Sequence, residues 1–369
     1  MASRIASLPD PLTTTGGQRV TTVGAWQTAR RPEVLDLFRA NVYGREPARP
    51  SIALITDTEA GVVFSGLGIL HQVTLDLHGP YGRKPLPFAW FLPTQSPAPV
   101  GTVVWLTNRF DRTDLSLADY PKGFHPVAYL LDQGFRVALV LADDIEPDAR
   151  DRFSQSIHAL FYPADGPRAD DAWGTIAAWA CGASLVLDYL WSLPEVANQP
   201  IALIGHSRYG KAALWAGALD ERFSAVISNN SGSTGAALAR GKGGEQIANI
   251  NGAFPHWFCL RYHQFNHREE FLPVDQHLLL AAIAPRLLYV TSASDDSWAD
   301  PLSEYLALVA AGPVYGLYGL NAPSDLALPP ADHPVWVDHI GFHLRTGGHG
   351  LFAYDWQQIV SFLRSHWAT

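Results

Sequence analysis

From Val100 onward, strand-length apolar runs alternate with helical stretches, and this alternation constrains the fold more than any other feature of the chain. GTVVWLT (101–107) reads as a buried strand, HPVAYLLDQG (125–134) as a helix closed by Gly134, and FRVALVLAD (135–143) as a second strand. Between residues 172 and 191, Ile176, Trp179, Ala183, Val186, Leu187 and Leu190 recur at helical spacing. The pattern continues with IALIGHS (strand), KAALWAGALD (helix), FSAVISN (strand), RLLYVTSAS (strand) and LSEYLALVAA (helix). VYGLYG (314–319) and IGFHLRT (340–346) read as strands, and DWQQIVSFLRSHW (355–367) as a closing helix. Such a chain predicts a mostly parallel central sheet with helices on both faces, a three-layer α/β sandwich. Ahead of it, residues 51–93 alternate short apolar runs with turn residues, which predicts antiparallel strands. A helix start is marked at Arg31-Pro32-Glu33-Val34-Leu35 by its early proline. With the strand-rich part, about 1–98, laid on the same sheet, residues 1–369 read as one catalytic-sized domain.

Composition narrows the possible functions. Of 369 residues, 47% are hydrophobic and 17% charged, which excludes a disordered chain. Twenty-six basic against thirty-five acidic residues give −9, a poor balance for binding nucleic acid through phosphate neutralisation. The longest apolar run, Ala172 to Leu187, has 16 uncharged residues interrupted by Gly174 and Gly182, short of a membrane span. Two cysteines, Cys181 and Cys259, exclude a disulfide scaffold and a four-cysteine zinc site, and read as free thiols. His256, His263, His267 and His277 cluster loosely without metal-ligand spacing, so neither metal nor organic cofactor is expected. MASRIASLPDPL lacks the apolar segment of a secretory signal. Three Pro-rich stretches, 107–126, 143–171 and 321–335, read as long loops of the kind that carry function.

The chemistry concentrates at Ile201-Ala202-Leu203-Ile204-Gly205-His206-Ser207-Arg208-Tyr209-Gly210-Lys211. An apolar strand runs into a serine with glycines on either side and then at once into a helix. A tight turn of this kind lifts a nucleophilic hydroxyl above the sheet edge. The usual G-x-S-x-G spacing is broken, because the second glycine is Gly210, three residues after Ser207. A serine nucleophile needs a base and the base an orienting acid, which in α/β-hydrolases follow in the order Ser, acid, His at strand ends. After strand 287–293 comes Ser294-Asp295-Asp296-Ser297-Trp298-Ala299-Asp300-Pro301; after strand 340–346 comes Gly347-Gly348-His349-Gly350. His349 is the candidate base. Asp295 and Asp296 are neighbours whose side chains point opposite ways in an extended segment, so one alone can meet the imidazole. Asp300, ahead of Pro301, is suited to cap the following helix.

Together GHSRYGK, SNNSG, the Phe254-Pro255-His256-Trp257-Phe258 segment, LPVDQH, IAPR, the Asp296–Pro301 stretch and the final Gly-Gly-His resemble carbohydrate esterase family 15, the glucuronoyl esterases. The likeness is strong over about 195–360 and looser toward the N-terminus. It implies the α/β-hydrolase fold and hydrolysis of esters between 4-O-methyl-glucuronic acid on xylan and alcohols of lignin. Glucuronoxylan or lignin–carbohydrate esters would be the substrate, with secretion or periplasmic location and no obligate protein partner. Arg208, directly after the nucleophile, would face the oxyanion, and Lys211, Glu245 and Trp298 would contact the sugar. The acid two residues before the tryptophan selects Asp296. Many members carry that acid as glutamate in an E-S-G segment; here the segment is Asn229-Asn230-Ser231-Gly232, and an amide cannot supply the charge. Two rivals remain: an acetyl-xylan or other small-acyl esterase on the same triad, and a catalytically silent carbohydrate-binding protein.

Overall fold

Along Ile201–His206, Ile201 and Leu203 enter one hydrophobic core while Ala202 and Ile204 enter a second, so both faces of this strand are buried. The period-two alternation of a strand and an almost wholly apolar sequence dictate that placement at the middle of a covered sheet. The computed structural model describes residue 5 and residues 7–96, 98–108, 124–163 and 167–367. Among the described residues, ten strands form one sheet: β1 (Ser51–Val63), β2 (Gly68–Gly79), β3 (Gly82–Pro93), β4 (Gly101–Thr107), β5 (Phe135–Leu141), β6 (Ile201–His206), β7 (Ala225–Asn229), β8 (Leu287–Ala293), β9 (Val335–Val337) and β10 (Ile340–Arg345). Their order is β1-β2-β3-β5-β4-β6-β7-β8-β10-β9. Neighbours from β5 through β10 pair in parallel, whereas β1, β2 and β3 are antiparallel and join the sheet where β3 meets β5. This is the α/β-hydrolase architecture with an antiparallel lead-in.

Six helices matter for the site: α1 (Arg31–Phe38), α2 (Pro126–Asp132), α3 (Thr175–Ser192), α4 (Arg208–Leu219), α5 (Pro301–Leu317) and α6 (Ala353–Trp367). The larger core takes side chains from α1, α3, α4 and α5, and the smaller core takes them from α2 and α6. α3 is buried along most of its length, and no helix among the described residues is long and apolar enough to cross a membrane.

One element departs from the sequence reading. VYGLYG is not a strand: α5 runs unbroken to Leu317 with Pro313 inside it. Proline at that position removes one backbone hydrogen bond, but Ala310, Ala311, Val314 and Tyr315 are buried on the helix and hold it through the interruption. Tyr315 also donates its hydroxyl to the carbonyl of Arg286 at 3.1 Å. Residues 109–123 of the expected 107–126 loop lie outside the described residues.

Candidate active site

Strand order reverses at β4, and in an open parallel sheet the crevice at the carboxyl ends beside such a point receives ligands. The ends of β6, β7, β8 and β10 deliver Ser207, Asn230, Asp296 and His349 there. Ser207 connects β6 to α4 with φ 57° and ψ −125°, a conformation that costs a non-glycine residue on the order of 1–3 kcal/mol. The turn is held from outside, since the Ser207 N–H donates to the Asn229 carbonyl at 2.8 Å.

Both glycines of the turn answer to sterics. A Cβ on Gly205 would lie 2.0 Å from the Tyr209 carbonyl oxygen. At Gly210 it would lie 3.0 Å from Ser231 Cβ. The residue two after Ser207 is Tyr209, whose ring packs against Trp179 with centroids 5.0 Å apart. The close approach of helix to strand therefore falls one residue later, which accounts for the displaced glycine.

His349 Nδ1 lies 2.6 Å from Asp296 Oδ2. The same oxygen accepts from Asn230 Nδ2 at 3.0 Å, and Oδ1 accepts from the Ala299 N–H at 3.2 Å. Burial alone would raise the Asp296 carboxyl, but the hydrogen bonds from His349 and Asn230 outweigh it and hold it below its ordinary value. Asp295 is exposed and accepts from Ser294 Oγ at 2.8 Å. Asp300 accepts from the Ser303 N–H at 3.1 Å and caps α5, as expected of its place before Pro301. The His349 ring packs against His206, centroids 4.6 Å apart. His349 makes its hydrogen bond to Asp296, and none is formed between Ser207 Oγ and His349; catalytic hydrogen bonds of this kind often tighten only in the reacting complex.

A pocket of about 390 Å³ opens beside Ser207 and His349, with Arg208, Lys211, Glu245, Trp257 and Trp298 in its wall. Trp298 is exposed and Phe254 half-buried. Lys211 is different from its sequence expectation in one respect. It is buried, and its Nζ donates to the carbonyls of Ser231 (2.5 Å) and Ser233, leaving one of three donors for the pocket. Burial lowers its ammonium to about 8, against the opposing pull of Glu245.

A family model described as "Glucuronyl esterase, fungi" matches residues 140–319. A carbohydrate esterase from an unknown prokaryotic organism is 35% identical over 388 aligned positions, covering 98% of this chain and 89% of that protein. The chain belongs to carbohydrate esterase family 15, the glucuronoyl esterases. It is therefore a carboxylic ester hydrolase. A glucuronoyl esterase from Solibacter usitatus superposes with a TM-score of 0.88 at 34% identity, over 98% of this chain and 97% of that one. A promiscuous esterase of the same family, from a marine bacterial metagenome, gives 0.84 at 34% identity over 97% and 96%.

Beside His349, Asn230 has a use that sequence reasoning missed. Its amide cannot replace a carboxylate, but it donates to the one that faces His349. Glu304 on α5 was also missed. Fully buried, it accepts from the Gly232 N–H at 2.8 Å, Ser231 Oγ at 3.3 Å and Ser292 Oγ at 2.5 Å, and so fixes the loop that carries Asn230. Burial pushes its carboxyl up to about 7 in spite of those hydrogen bonds, and the nearby charge of Asp296 pushes the same way. The third residue missed is Asp148, from the loop at the end of β5. It accepts from His256 Nε2 at 2.8 Å, from Trp257 Nε1 at 2.7 Å and from Arg208. The 143–171 stretch stood out as a long loop, yet nothing local distinguished Asp148 from its acidic neighbours. Cys181 and Cys259 are free thiols, each raised by burial, Cys181 to about 12 and Cys259 to about 11.

Proposed function

We propose that this chain hydrolyses glucuronate esters, such as 4-O-methyl-glucuronoyl esters joining xylan to lignin alcohols, with Ser207 as nucleophile, His349 as base and Asp296 as orienting acid. The contact that carries the reading is His349 Nδ1 to Asp296 Oδ2 at 2.6 Å, on the rim of the pocket that Ser207 lines. With Nδ1–H committed to the carboxylate, Nε2 is left as acceptor for the serine proton. Ser207 Oγ attacks the ester carbonyl, the imidazolium returns its proton to the departing alcohol, and water repeats the sequence to free the uronic acid. Negative charge on the tetrahedral oxygen falls to the Arg208 guanidinium and to the Arg208 N–H, which lies in the first turn of α4 where helix geometry leaves N–H groups unpaired. A donor in such a position is worth about 3–4 kcal/mol.

For the sugar, Glu245 offers acceptors to hydroxyls, Trp298 an exposed ring face, and Lys211 its remaining donor. A pocket of this size suits a hexuronate better than an acetyl group, which favours uronate esters over the small-acyl alternative. A wall polymer lies outside cells, so the site of action would be extracellular or periplasmic. The test compares methyl or benzyl glucuronate with an aryl acetate, using wild type and Ser207→Ala. The expected result is a marked preference for the uronate ester and loss of both activities in the variant at unchanged circular dichroism. Equal or better turnover of the acetate overturns the substrate assignment; more than a few per cent residual activity in Ser207→Ala overturns the nucleophile.

A further inference from the structure

Arg208 can stabilise an oxyanion only if its long, flexible side chain is held in one place, because each rotamer left open dilutes the productive one. Two contacts hold it. The guanidinium carbon lies 4.7 Å from the centroid of Trp257 and 5.1 Å from that of Phe254, whose rings stack on each other 3.8 Å apart at 4°. Nη1 donates to Asp148 Oδ2. The two rings confine the guanidinium from the side, but an aromatic contact has no directional partner for its N–H groups; the bond to Asp148 supplies that direction.

The carboxylate is itself immobile. Oδ1 is occupied by His256 and Trp257, so Oδ2 has one direction left. The loop that bears Asp148 is pinned on both sides. Two residues earlier, Glu146 pairs with buried His158 at 2.7 Å and its carbonyl accepts from Trp179 Nε1 of α3 at 2.8 Å. Two residues later, Arg150 donates to the carbonyls of Gly252 and Ala253, both at 3.1 Å, just ahead of Phe254. Burial opposes ionisation of Asp148, but the bonds from His256, Trp257 and Arg208 bring its carboxyl down to about 2. The anchor therefore stays charged throughout the working pH range.

From this geometry we infer that Asp148 is a positioning residue for catalysis: it locks the Arg208 guanidinium so that its remaining N–H groups are aimed at the reacting carbonyl. The inference rests on the reading of Arg208 as oxyanion donor, and the experiment separates the two.

Asp148→Asn is the informative change. With its oxygen still accepting from His256 and Trp257, the new amide nitrogen faces Arg208 Nη1, donor against donor, so the Arg208 arm alone is broken. In the full-length chain, kcat on benzyl glucuronate should fall on the order of 10- to 100-fold, the scale of an ångström-level misplacement. KM should stay within about threefold, since the loss is confined to the transition state. In an Arg208→Ala background the same substitution should cost less than about twofold, because there is no guanidinium left to aim. An equal loss in both backgrounds overturns the inference, as does wild-type kcat in Asp148→Asn. If Arg208→Ala by itself leaves kcat unchanged, the oxyanion reading fails instead. Should Asp148→Asn not fold, Asp148→Glu takes its place: it keeps the charge and moves the anchor by one methylene, and the same dependence on Arg208 decides the matter.

Discussion

Replacing Asp296 by asparagine tests the triad at the point where the structure is most explicit. The carboxylate accepts three N–H groups: His349 and Asn230 on Oδ2, and the Ala299 amide on Oδ1. An amide has one oxygen to offer. If that oxygen faces Ala299, the new NH₂ group faces His349 and donates to Nδ1, and the imidazole takes the tautomer protonated on Nε2, which cannot accept the serine proton. Asn230 can turn to suit, since its own Oδ1 is buried without a partner. If instead the oxygen faces His349, the NH₂ group is pressed against the Ala299 N–H in a buried site, which costs about 1–3 kcal/mol. The unproductive arrangement is thus favoured by roughly 5- to 150-fold. Loss of the charge that supports the imidazolium adds about 1.5–3 kcal/mol. Together these put the loss of kcat on the order of 10²–10⁴, with the loss of about 10⁴ for the same change in a serine protease at its upper end. The measurement is steady-state hydrolysis of benzyl glucuronate, with the His349 tautomer read from its ring ¹⁵N shifts. Asp295→Asn, which removes only the charge from an exposed contact to Ser294, should change kcat by less than about twofold. Retention of a tenth or more of wild-type kcat in Asp296→Asn, or the Nδ1-protonated tautomer persisting, would refute the argument.

Other consequences concern the buried charges around the loop 230–233. For Glu304 the carboxyl is raised from 4.5 to about 7, so its contribution to stability is complete below pH 4.5 and is lost as pH rises through 7. Glu304→Gln keeps acceptors for Gly232 and Ser231 without the charge; its stability should fall less than that of wild type between pH 4.5 and pH 8, a difference of about 3 kcal/mol at the alkaline end, read from Tm–pH curves. Parallel Tm–pH curves would show that Glu304 is not the titrating group. For Lys211, two of three donors hold Ser231 and Ser233 and the third is left for the sugar, so Lys211→Met should lower Tm, reduce turnover of aryl acetates and reduce that of uronate esters further, by about tenfold or more, with an equal loss on both showing that Lys211 acts through the loop alone. Glu245→Gln should weaken uronate esters and spare the acetate, and an equal loss on both would place Glu245 outside the sugar site.

The sequence was informative wherever function follows from a pattern of near neighbours. β6 running into Gly205, Ser207 and α4 is one continuous stretch, and so is β10 running into Gly347, Gly348 and His349. The choice between Asp295 and Asp296 was half legible: alternation said that one alone could reach the histidine, and the family likeness said which. Local pattern misled where burial from afar overrode it. Pro313 announces a break in α5, and the buried faces of Val314 and Tyr315 cancel that signal. The same limit hid the residues behind the site. Asp148 meets Arg208 across 60 positions and Glu304 meets Ser231 across 73, and neither has neighbours that set it apart from an ordinary solvated carboxylate. What makes each of them special is a set of donors gathered from distant segments of the chain, which exists only once the fold has assembled. This explains why the residues that meet around the pocket could be singled out in the sequence while the carboxylates behind them could not. A nucleophile or base needs a particular local backbone, which leaves glycines and strand ends in the sequence. A carboxylate that orients another side chain needs only to be ionised or buried at the right distance, and that requirement leaves no local trace.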